Sequence, residues 1–194
     1  RQLLYMYIQA ESSEEVIKFE EFGLIDLILR GDDDFKGVPE NIRRNPESMA
    51  EAIENNVRKK IVEENPVNPI YYDQMSVLLN EIIELRRKNA MAYKEYLEKI
   101  RDLTRKVAQP AGRNDYPEGI NTPGKQALFD NFGKNIELAK NIDKAIQSNR
   151  WAAWVVDDAK EKILLRGLSR ELGINDTNVL IAYLTLAQKH QEYH

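Results

Sequence analysis

The sequence has 194 residues and a mass of 22.5 kDa; with 42% apolar and 31% charged residues it can build a sizeable core and is too apolar for global disorder. It has no cysteine and only two histidines, His190 and His194, both at the C-terminal end, which argues against a disulfide framework, a thiolate or histidine-rich metal centre, a cysteine nucleophile and a Ser-His-Asp triad. The net charge of −4 is not that of a strongly basic nucleic-acid-binding domain, and no apolar run approaches the ~18–20 residues of a membrane span.

Apolar residues recur at helical spacing almost throughout, and strict alternation over a strand length is hard to find. Leu3–Ile8 reads as the end or start of a helix. A second helix fits Ser13–Leu29, capped by Ser12 or Ser13, with Glu14 and Glu15 favoured in its first turn by the helix dipole and Arg30-Gly31 as its stop. The run Asp32-Asp33-Asp34 with Gly37 and Pro39 reads as a loop. A third helix fits Pro46–Glu64, with Asn45 as cap, Pro46 at the first helical position and Ile53, Val57 and Ile61 on one face. The prolines of Asn65–Pro69 break it. A fourth helix runs over Pro69–Asn89 with Met75, Leu78, Leu79, Ile82 and Ile83 as its stripe. A fifth covers Ala92–Val107 with Tyr93, Tyr96, Leu97, Ile100, Leu103 and Val107 together. The short break at Lys88–Met91 implies an antiparallel hairpin or a kink in one long helix.

Residues 108–124 hold Pro110, Gly112, Pro117, Gly119, Pro123 and Gly124 and form one long irregular stretch. Loops beyond about 12–15 residues are uncommon in compact domains and are often functional. Helices follow over Lys125–Phe132 and Asn135–Ser148, the latter with Leu138, Ala139, Ile142, Ala145 and Ile146 inward. Trp151 and Trp154, three apart, read as core or interdomain anchors. A helix over Val155–Leu172 ends at Gly173, and a last one, capped by Asn175 or Asp176, runs to Tyr193. The expected fold is all-α: an irregular bundle of about eight or nine helices with one long Pro/Gly-rich loop. Residues 1–40 are read as the end of a preceding helical spacer and 41–194 as a helical assembly domain.

Three features carry candidate chemistry. Gly119 to Lys125 has the G-x-x-x-x-G-K spacing of a phosphate-binding loop. However, Gln126 replaces the magnesium-holding hydroxyl, Pro123 removes a backbone N–H from the cradle, and no strand precedes it. A nucleotide-binding protein with a degenerate phosphate loop is the last alternative; a weaker one is an anion near Lys125 at a helix start, against the favoured reading of a structural turn capped by Thr122. The basic triplets Arg58-Lys59-Lys60 and Arg86-Arg87-Lys88 are either solvated helix faces or contacts to a nucleic-acid backbone, for which charge suffices. The charge is unevenly spread: residues 1–40 carry a net −6, 41–113 a net +3 and 114–194 a net −1, so the middle third is where an anionic partner belongs. A surface cluster of Tyr71, Tyr72 or Tyr116 would instead favour protein docking. The carboxylate pairs Glu63-Glu64, Glu81 with Glu84, and Asp157-Asp158 converge with nothing, so no acid–base centre and no catalytic residue is assigned.

The segments Ala50–Ile61, Asn68–Leu79 (beginning Asn68-Pro69-Ile70-Tyr71-Tyr72-Asp73), Tyr93–Leu97 and Thr122–Asn131 occur in an order that closely resembles the C-terminal helical region of the R subunit of type I restriction enzymes. The resemblance covers residues 45–150; at Trp151-Ala152 that family often has Trp-Arg. It implies a non-catalytic piece of a larger ATP- and magnesium-dependent DNA translocase and endonuclease, in a bacterial or archaeal cytoplasm. This piece itself would hold no cofactor. Its implied partners are the methyltransferase (M) and specificity (S) subunits, with double-stranded DNA backbone nearby and no membrane. On that picture the irregular loop, with Arg113, Asn114, Tyr116, Thr122 and Lys125, is the docking element. Arg58, Lys59, Lys60, Arg86, Arg87 and Lys88 are then the DNA-facing set.

Overall fold

The computed structural model describes residues 23–30, 40–108 and 116–194. These fold into α-helices joined by turns and short three-ten segments, with no strand among the described residues. The protein is all-α, as its apolar spacing requires. The helices are α1 (Leu24–Arg30), α2 (Glu40–Arg43), α3 (Pro46–Glu64), α4 (Pro69–Arg87), α5 (Tyr93–Ala108), α6 (Pro123–Asn131), α7 (Ile136–Asn149), α8 (Asp158–Leu172) and α9 (Thr177–Ala187). The expected helix at Leu3–Ile8, the start of the helix at Ser13 and the loop Asp32–Pro39 lie outside the described residues. So does most of the segment 1–40 read as a spacer. The chain divides into two compact units: residues 1–60 with 76–108, and residues 61–75 with 109–194.

In the first unit, α3 starts where the sequence places it. The Asn45 carboxamide accepts from the backbone N–H groups of Glu47 (3.0 Å) and Ser48 (3.3 Å), satisfying two of the free donors of the first turn. Met49, Ala50, Ile53 and Val57 are buried, as are Leu79 and Ile83 of α4 and Tyr96, Ile100, Leu103 and Val107 of α5. Leu24 and Ile28 of α1 are buried too, and α1 packs on α5. The Tyr96 hydroxyl donates to the Ala50 carbonyl at 3.2 Å and so ties α5 to α3. Between α4 and α5 the chain turns through Asn89 at φ +51°, with Ala90 N–H closing on Leu85 C=O at 2.9 Å. The break is therefore a hairpin, not a kink: Leu78, Ile82 and Leu85 of α4 line a shallow groove with Lys99, Leu103 and Lys106 of α5. The two predicted stripes are looser than expected. Leu78 is 37% and Tyr93 38% exposed, and Tyr93 lies at the first position of α5 with its ring stacked on Tyr96.

The second unit packs α6 on α7, α7 on α8, α8 on α9 and α9 back on α6. Its core joins Ile120, Leu128, Ile142, Ile146, Trp154, Leu164, Leu168, Leu184 and Tyr193. The starts of α6, α7, α8 and α9 carry side-chain caps: Thr122, Asn135, Asp157 and Asp176 respectively. Gly173 closes α8 at φ +66°, a left-handed position that a Cβ would strain. A three-ten turn, Trp154–Val156, precedes α8 where the sequence suggested helix from Val155. The two tryptophans separate. Trp154 is buried and its indole N–H donates to the Tyr193 carbonyl at 2.6 Å, whereas Trp151 is 59% exposed. The last helix stops at Ala187 rather than Tyr193. Lys189 and His190 bond to carbonyls three residues back, and a three-ten turn, Gln191–Tyr193, carries Tyr193 into the core.

Candidate functional site

Parts of two segments that carry the resemblance, Asn68 of one and Asp130-Asn131 of the other, meet in one hydrogen-bonded cluster of the second unit. Asn68, buried at the junction of α3 and α4, donates from Nδ2 to Asp130 Oδ2 at 2.8 Å. Its Oδ1 accepts from Asn131 Nδ2 at 2.7 Å. The Tyr116 hydroxyl donates to the same Asp130 oxygen at 2.6 Å, and its ring meets Phe129 edge-on. Asn131 also donates to the Ala127 carbonyl of its own helix. Residues more than 60 positions apart in the chain are thereby locked together with their amide and carboxylate groups satisfied. Asn68, Asp130 and Asn131 were not singled out as site residues from the sequence, although all three stand inside the quoted segments.

The phosphate-loop spacing resolves into a structural turn. Thr122 caps α6, its Oγ1 accepting from Lys125 N–H at 3.4 Å, and the same hydroxyl donates to Glu192 Oε1 at 2.7 Å. The Glu192 carboxylate and the Tyr193 ring lie against Gly124 so closely that a Cβ there would overlap both. The anion that a helix N-terminus favours is thus supplied by the chain's own Glu192. Lys125 Nζ is 3.5 Å from Asp143 Oδ2, and Asp143 Oδ1 also accepts from the Tyr193 hydroxyl at 3.0 Å. Burial pushes the Tyr193 phenol well above its ordinary range, and the Asp143 charge adds to the effect. These residues do not fit a nucleotide phosphate, because a carboxylate already covers the cradle. Of the expected docking set, Tyr116, Thr122 and Lys125 are engaged within this unit, and Arg113 and Asn114 lie outside the described residues.

The basic triplets are split. Arg58 is exposed and donates to Asn80 Oδ1 at 3.1 Å; Lys59 is exposed and Lys60 half-buried. Arg87 and Lys88 are exposed, the latter 3.1 Å from Glu84. Arg86 departs from the DNA-facing set. Its side chain is 9% exposed, with Nε 2.8 Å from Glu54 Oε1 and NH1 2.6 Å from Glu47 Oε1, and its guanidinium lies 5.7 Å from the Tyr96 ring centre. Burial alone would lower its pKa; the hydrogen bonds to Glu54 and Glu47 outweigh it and raise the value. Arg86 is a structural cation, and the exposed Glu47 and Glu84, paired with Arg86 and Lys88, offset the positive charge of the second triplet. The tyrosine pair is not a docking patch either: Tyr71 and Tyr72 are 3% and 2% exposed, rings edge-to-face at 5.1 Å.

His190 is buried, and its Nε2 bonds the Val67 carbonyl at 3.0 Å, so Nε2 carries the proton. Burial lowers its pKa below the ordinary 6.5, against opposing contributions from that bond and Glu192. Among the described residues no group of three or more metal-ligating side chains converges, and no helix is long and apolar enough to cross a membrane. No protein family, curated protein or solved structure matches the chain.

Proposed function

We propose that this chain is a helical assembly module that docks the motor subunit of a type I restriction enzyme on its methyltransferase core. The observation that carries the reading is the ordered series Ala50–Ile61, Asn68–Leu79, Tyr93–Leu97 and Thr122–Asn131, which resembles the C-terminal region of such R subunits. The cluster of Asn68, Tyr116, Asp130 and Asn131 gives part of that series a physical reason: a polar lock of this kind tolerates few replacements, because each leaves a partner unsatisfied. In this role the chain performs no chemistry of its own; ATP and magnesium belong to other parts of the parent subunit. Arg58, Lys59, Lys60, Arg87 and Lys88 supply a lesser contact to DNA backbone, supported by the exposure of four of them. A Lys59→Ala substitution then weakens duplex binding at all sequences alike and lowers the salt slope by about one.

The test is a pull-down with the M–S core of the same system, with and without duplex DNA. Capture by the core alone supports assembly. Capture that needs DNA and disappears as salt rises makes the chain a DNA-contacting module instead.

A further inference from the structure

Several cations of the second unit are engaged. Lys125 meets Asp143, Lys140 meets Glu137, Lys160 meets Asp157, and Arg150 donates to the carbonyls of Glu192 and His194. Lys162, Arg166 and Arg170, like Lys134, Lys144 and Lys189, are exposed, and among the described residues none of them pairs with a carboxylate; the first three stand on one helix. These three recur every four residues along α8, so they form a row rising about 6 Å per step. Exposed Ala159 and Ile163 share this face, and Val156 lies at its N-terminal end, two residues before α8 begins. Val156 is 85% and Ile163 48% exposed. The opposite side of α8 is the buried one, through Leu164, Gly167 and Leu168, with Gly167 tight against Asn149 of α7. Lys160 Nζ donates to the Ala152 carbonyl at 2.7 Å and pins to α8 the loop that bears the exposed Trp151.

A single exposed apolar residue is ordinary. Apolar side chains set beside a row of unpaired cations are a composite surface, and it is complementary to one kind of partner. We propose that the outer face of α8 is where this chain meets its protein partner, and that it receives an acidic helix with an apolar stripe. Carboxylates at four-residue spacing on such a helix match the pitch of Lys162, Arg166 and Arg170, and its apolar stripe covers Ile163 and Val156. A duplex backbone would use the cations but bury no apolar side chain. The inference rests on the reading of the chain as an assembly module and names the surface used.

The experiment titrates the full chain with the M–S core of the same system without DNA, and separately with duplex DNA alone, at low and at moderate salt. The parent is compared with Lys162→Glu/Arg166→Glu and with Ile163→Asp. All three positions are exposed, and thermal melting by circular dichroism verifies that the variants fold. Charge reversal is expected to weaken binding about tenfold or more and to flatten its salt dependence. Ile163→Asp is expected to weaken it about tenfold at both salts. Equal affinities for parent and variants overturn this inference alone. Failure of the parent to bind the core overturns the assembly reading, and this inference with it. Binding only to duplex DNA, abolished by the charge reversal, would make α8 a nucleic-acid face and also overturn the proposal.

Discussion

Removal of the Arg86 guanidinium is the sharpest perturbation of the first unit. Glu54 is 3% exposed, and Arg86 holds both of its oxygens, at 2.8 and 3.3 Å. An Arg86→Ala chain leaves that carboxylate buried without its counter-ion, a change that typically destabilises by about 3–5 kcal/mol. Glu47, whose side chain is 66% exposed, adds only about 0–1 kcal/mol through its own pair. The contact with Tyr96 adds about 0.5–1 kcal/mol. Replacing both charged partners, Glu54→Leu with Arg86→Met, removes the unpaired charge and is expected to recover most of the loss. The assay is urea denaturation followed by far-UV circular dichroism, with hydrogen exchange of the amides around Ala50–Val57 to localise the effect to this unit. A loss below about 1 kcal/mol for Arg86→Ala, or strict additivity of the two single substitutions, refutes the reasoning.

Three further outcomes follow from the second unit. Gly124→Ala drives a methyl into the Glu192 carboxylate and the Tyr193 ring, so it destabilises by about 1–3 kcal/mol in thermal or urea melts; a neutral result contradicts the close packing of the C-terminal turn on α6. Trp154→Ala costs about 3–5 kcal/mol, while Trp151→Ala stays within about 0.5 kcal/mol, and equal effects would contradict their opposite burial. His190 has its folded pKa below the unfolded 6.5, so the unfolded chain binds the proton first as pH falls. Stability from this group is complete above about pH 6.5 and is lost toward the lower folded value, at no more than about 1.4 kcal/mol per pH unit; His190→Gln removes this part of the slope, and an unchanged slope counts against it.

The sequence made the local devices legible and hid the distant ones. Asn45, Thr122, Asp176 and Gly173 act where their chemistry placed them, because caps depend on the few residues beside them. Arg86 looked like its neighbours Arg87 and Lys88 because its partner, Glu54, is 32 positions away. Trp151 and Trp154 share a spacing, but Ala153 at φ +60° breaks the helical register between them and turns only one inward. The last helix was drawn too long because the pull on it is tertiary: His190 leaves the helix for the Val67 carbonyl and Tyr193 fills the core. The docking loop was located by length and glycine content, signals that cannot tell an outward element from one bonded to its own unit. Tyr116, Thr122 and Lys125 bond within their own unit.

The central claim is that this chain assembles with the methyltransferase core through protein contacts. Its most direct test is the affinity of the whole chain for the M–S core across a salt series, measured without DNA and then with duplex present. The account predicts binding without DNA that persists at high salt, with only a modest slope. Binding that appears only with duplex, and falls steeply as salt rises, would contradict it.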